Sequence, residues 1–135
     1  MTFQLRNASK FFIVSVSALA LAGTAHAGSC SSMQKELVNV GNEIVGMQAD
    51  REEIVATFEL HNNERAAAKA ELANLETGVI KMTKDEKAGY EASVEEHHAQ
   101  AEEAKSKLEL MNVSLMEKAE AYNEKTTAFN TKCIG

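Results

Sequence analysis

One stripe of residues limits this chain more than anything else in it. Met33, Leu37, Val40, Ile44, Met47, Arg51, Ile54, Phe58, His61, Arg65, Ala68, Leu72, Leu75, Val79 and Met82 follow one another in an unbroken 4-3 spacing. Twelve of these fifteen are apolar. A mean period of 3.5 keeps one face of a helix turned toward a partner helix through supercoiling, so the spacing predicts a coiled-coil seam. A second run repeats the pattern through Tyr90, Val94, His97, Ala101, Ala104, Leu108, Met111, Leu115, Ala119, Tyr122, Thr126, Phe129 and Cys133. Two successive fours at Met111, Leu115 and Ala119 form a stutter, which locally unwinds a supercoil.

Between the runs lies one break. Gly78 suits the left-handed residue that ends a helix. Thr83 and Glu86 have the spacing of a capping box that opens the next one, with Asp85 and Glu86 favoured at a positive helix terminus. The expected fold is all-α: a long antiparallel two-helix coiled-coil hairpin with helix 1 at about 31–77, a turn at 78–83 and helix 2 at about 84–132. A short turn makes the two helices antiparallel neighbours. Folding there pairs Ile54 with Leu108, Phe58 with Ala104 and Leu72 with Tyr90. Ser31 or Ser32 is the expected N-cap of helix 1, and Gly41 and Gly46 weaken its first turns, each by about 0.8–1 kcal/mol relative to Ala.

The same hairpin brings Cys30 and Cys133 together at its open end. They are the only two cysteines in the chain. An even cysteine count in an exported chain reads as a disulfide, so the hairpin is expected to be closed by a Cys30–Cys133 bridge.

Export is read from residues 1–27. Arg6 and Lys10 precede an apolar run over residues 11–23, and Thr24, Ala25, His26 and Ala27 end in an A-x-A pattern. That is the layout of a cleaved secretory signal peptide. The run is too short for the roughly 20 residues that a membrane-spanning helix needs, so no stable membrane insertion is expected after cleavage. Lipidation at Cys30 is the competing expectation, and it would leave Cys133 without a partner. Removing Arg6 and Lys10 takes the formal charge from −6 to −8. So acidic a chain is a poor partner for nucleic acid or anionic lipid.

Polar residues interrupt the seam at Arg51, His61, Arg65 and His97. Their expected role is a core polar layer that fixes register. Arg51 is expected to reach an acid such as Asp50 or Glu117 with its stem packed on the apolar face. His61, His97 and His98 are weak candidates for a metal site, since bundles build such sites from inward His and Glu and imidazole suits Zn, Cu or Ni. Arg65 at the same level opposes a cation. Because His97 and His98 are adjacent, they cannot both face helix 1. Glu36, Glu43, Asp50, Glu64 and Glu71 flank the seam at seven-residue intervals, interrupted by Thr57, as a solvated acidic face. Asn112, Val113 and Ser114 fit a glycosylation acceptor, but in mid-helix.

No nucleophile elbow, phosphate loop or C-x-x-C occurs, so neither an enzyme nor a cofactor is expected. The expected function is a periplasmic or secreted structural or interaction protein of the bacterial cell envelope. It would bind a protein partner or itself through coiled-coil faces. Val38, Val45, Val55, Leu60, Leu110, Val113 and Met116 are the expected residual apolar surface, and a homodimer forming a four-helix bundle is one arrangement that would cover them. A small holdase-type chaperone using exposed Met and Leu, and a histidine-based metal-binding protein, are the alternatives.

Overall fold

The computed structural model describes residues 27–134, and residues 1–26, most of the signal-peptide reading, lie outside it. Two long helices pack against each other as a hairpin, α1 at Ala27–Glu76 and α2 at Lys84–Phe129. A π-helical turn, Asn130–Ile134, continues α2 and carries Cys133. No strand occurs among the described residues.

The reversal is specified locally, by its own backbone and side-chain hydrogen bonds. Gly78 has φ of 73°, the left-handed conformation that only glycine adopts without a penalty. Its N–H donates to the Leu75 carbonyl at 3.1 Å, and the Val79 N–H donates to the Asn74 carbonyl at 2.9 Å. Those two bonds make a Schellman motif, which satisfies carbonyls that the end of a helix would leave open. At the other side, the Glu86 carboxylate accepts from the Thr83 N–H at 2.7 Å and from its hydroxyl at 2.9 Å. The Glu86 N–H donates back to Thr83 Oγ1 at 3.2 Å. This reciprocal capping box starts α2.

Two compact units make up the chain. One joins the start of α1, up to Glu43, with the segment from Glu120 onward. In it Leu37, Gly41 and Phe129 are buried, and Tyr122 and Thr126 are half-buried. A Cβ built on Gly41 would lie 3.6 Å from the Tyr122 ring, an ordinary contact distance. Cys30 and Cys133 form a disulfide here, with their Cα atoms 5.8 Å apart. The Glu36 carboxylate pairs with Lys125 across the helices.

The other unit is Ile44–Ala119. Its core is thin: Ile44, Ala68, Ala101, Ala104, Leu108 and Ala119 are buried, and Ile44 is the one large side chain with less than 2% exposure among the described residues. Met47, Ile54, Phe58, Leu72, Leu75, Tyr90, Val94, Met111 and Leu115 are half-buried beside them. A stripe on each of only two helices cannot be closed over on both flanks, so most of its large side chains keep one edge in water.

Three expectations change. Val79 is 72% exposed and has left the seam, because the left-handed Gly78 turns the chain out of helical register one residue earlier. Val55 is half-buried and does not belong to the exposed surface. It lies one position past Ile54, on the flank of the stripe. Ser31 and Ser32 are within α1, which already begins at Ala27, so neither caps it.

The glycines yield a paired prediction. Nothing lies within 4 Å of a Cβ added at Gly46, so Gly46→Ala is expected to raise stability by about 0.8–1 kcal/mol through helix propensity alone. Gly78→Ala forces an L-residue into the left-handed region and is expected to cost roughly 1–2 kcal/mol. Urea denaturation of the two variants measures both signs. Capping gives a second prediction. Hydrogen bonds from the Thr83 backbone and hydroxyl hold the Glu86 carboxyl below its ordinary value of 4.5. A lowered folded-state value means that the contribution is complete above the ordinary glutamate range and disappears as pH falls through the depressed value. The difference in thermal midpoint between the native chain and Glu86→Gln should therefore shrink on acidification from about pH 6 to about pH 3. A difference independent of pH would contradict it.

Candidate functional site

The residues that could carry chemistry gather where polar side chains interrupt the seam of the Ile44–Ala119 unit. His61 on α1 and His97 on α2 meet there, with their Nδ1 atoms 3.1 Å apart. The ring centroids are 5.3 Å apart and the planes differ by 28°. The excess of the centroid distance over the nitrogen distance is about two ring radii, so the nitrogens lie between the ring centres. The rings therefore meet edge to edge, close to coplanar, and are not stacked face to face. One Nδ1 donates its proton and the other accepts it, and either ring can take either role.

Each helix supplies its histidine for a simple reason. His61 falls three residues after Phe58 and His97 falls three after Val94, on the faces that the 4-3 spacing turns inward. The neighbour His98 is rotated by one residue. It is half-buried, and its Nδ1 makes no hydrogen bond within the chain. The pairing of His61 with His97 thus leaves His98 outside the contact, as adjacency on a helix requires.

Arg65 lies one turn beyond His61 on the same face. It is half-buried, and its Nε is shielded with no hydrogen-bond partner in the chain. Among the described residues, no group of three or more His, Cys, Asp or Glu side chains is arranged to hold a metal ion.

Arg51 does not reach Asp50 or Glu117. Its Nε donates to Asn112 Oδ1 on α2 at 2.8 Å, and both side chains are part-buried. A neutral amide across the seam takes the Nε–H without placing a second ion in a partly dry contact, which would carry its own desolvation cost. The same bond engages the Asn112 side chain, the residue that the glycosylation tripeptide would modify. Sequence reading missed Asn112 as a seam partner because it flanks Met111 and is not itself a 4-3 position. The missed signal was a polar residue opposite a polar interruption.

The acidic flank is also more than a solvated face. Glu36 is tied to Lys125. An exposed pair of this kind contributes roughly 0–1 kcal/mol.

The chain matches no family model, no curated protein and no solved structure. Among the described residues no helix is long and apolar enough to cross a membrane.

The two cysteines are 103 residues apart. In the chain-entropy model, closing a loop of that length stabilises by about 4.7 kcal/mol. Reduction under non-denaturing conditions should therefore lower the thermal midpoint sharply, as should a Cys30→Ser, Cys133→Ser variant. Unchanged melting of the reduced protein would show that the seam alone holds the hairpin.

Proposed function

We propose that this chain is an exported, non-enzymatic structural or interaction protein of a bacterial cell envelope, acting as a disulfide-closed helical hairpin whose outer faces bind a protein partner or a second copy. The observation that supports this reading best is the Cys30–Cys133 bridge. Disulfides persist in oxidising compartments and are rare in the cytosol, and the leader-like residues 1–27 give the chain a route to such a compartment. The bridge also uses both cysteines, which argues for Cys30 as a structural residue and against its lipidation.

The outer faces are charged, with a short row of apolar residues on α2. Val38, Val45 and Leu60 on α1 and Leu110, Val113 and Met116 on α2 are each more than half exposed. On α2, Leu110 and Val113 are flanked by Glu109, Ser114 and Glu117. Leu110, Val113 and Met116 follow one another at three-residue intervals and lie side by side as a narrow row bordered by charges, which suits a helical partner better than a chaperone's broad apolar patch would.

Crosslinking in the native envelope, followed by mass spectrometry, tests the reading. The expected result is a mature chain lacking residues 1–27, lighter by two hydrogens for the bridge, and crosslinked through lysines such as Lys107 or Lys118 to itself or to one recurrent protein. Recovery in the cytosol with two free thiols would overturn it.

A further inference from the structure

From the geometry of the histidine pair we infer that His61 and His97 form a two-imidazole clip for a divalent first-row transition ion, with Cu²⁺ held most tightly. The inference stands independently of the export reading.

Two features carry it. The first is distance. Metal–imidazole bonds are about 2.0–2.1 Å long, so two nitrogens 3.1 Å apart subtend about 95–100° at a shared ion. An angle of that size is within reach of tetragonal and tetrahedral sites alike once the rings turn, and the preference for Cu²⁺ follows from the affinity order of divalent ions for imidazole sites. The nitrogen separation needs no change of helix spacing. What must change is ring direction: the nitrogens now face each other along a hydrogen bond, and each ring has to turn about its Cβ–Cγ bond until both lone pairs aim at one point. The second feature is support. The ligands stand on two continuous helices that pack against each other, so both imidazoles are already at the same level before an ion arrives.

The protons balance without a co-reactant. In the neutral pair, one ring carries its proton on Nδ1 and the other on Nε2. Coordination breaks the Nδ1–H bond of the donor ring, that proton returns through water to Nε2 of the same ring, and two nitrogen–metal bonds form. Both rings end as the Nε2–H tautomer, and no net proton is released. Where the pair already holds an extra proton, one proton leaves to solvent.

The surroundings set the strength. No third His, Cys, Asp or Glu among the described residues joins the pair as a ligand group, so the remaining positions fall to water and the affinity belongs in the micromolar range. Arg65 follows His61 by four residues on the same helix face, and its fixed positive charge works against the ion. Removing that charge should therefore strengthen binding, an effect that a purely structural polar layer does not produce.

The test is calorimetric titration of the full chain, disulfide intact, with Cu²⁺, Ni²⁺ and Zn²⁺ taken singly. The expected result is one event that His61→Ala and His97→Ala each weaken by about tenfold or more, that His98→Ala leaves unchanged, and that Arg65→Gln strengthens. Cu²⁺ should bind more tightly than either neighbour in the series. Because either alanine could loosen the hairpin, imidazole ¹⁵N spectra of the unsubstituted chain with Zn²⁺ provide the second readout, with the Nδ1 signals of His61 and His97 shifting together. The clip is refuted by the absence of micromolar binding, by binding that survives both alanine substitutions, or by Zn²⁺ shifts confined to His26 or His98.

Discussion

A seam between only two helices is short of material, and the Cys30–Cys133 bond makes up the deficit. Among the described residues, four of the eight buried apolar side chains are alanine, and Ile44 is the one large side chain less than 2% exposed. Alanine lets helices approach closely but removes little apolar surface from water, and each residue that is ordered still loses roughly 1–2 kcal/mol of backbone entropy. Restricting the unfolded chain is then as useful as adding contacts to the folded one. A crosslink between residues so far apart in sequence is an efficient way to do that.

Much of this arrangement is legible in the residues themselves. The 4-3 spacing names the side chains that turn inward: every 4-3 position from Met33 to Leu75 on α1, and from Tyr90 on α2 to Cys133 in the π-helical turn, is buried or half-buried, including those at the stutter. The turn is readable because its chemistry is local. A glycine at the left-handed position and a T-x-x-E box state their hydrogen bonds within a few residues. Where spacing fails, the reason is also local. Val79 keeps the period in sequence but falls after Gly78, where the helix no longer exists to enforce it.

Side-chain partners across the seam are harder to read, because periodicity gives a level and a face but not a donor and an acceptor. Arg51 shows the difficulty. Acids stand nearby in sequence, yet Asn112 takes the bond. The histidines show the opposite case. Two rings of the same type at the same level can satisfy each other only as one donor and one acceptor, so their identity alone sets the form of the contact. Which of His97 and His98 faces inward follows from spacing, whereas the edge-to-edge approach of the rings does not.

The locally specified reversal has a consequence for how the molecule comes to be. Bonds between residues three to six apart close at little entropic cost, whereas joining the two sulfurs first would require a random encounter of distant segments. Assembly is expected to start at Gly78 and Thr83 and to advance along paired helices toward the chain ends, where the thiols are the last groups to meet. Oxidation would then act as a latch on a finished hairpin, and trapping free thiols at intervals during refolding would show them disappearing only after helix content has plateaued.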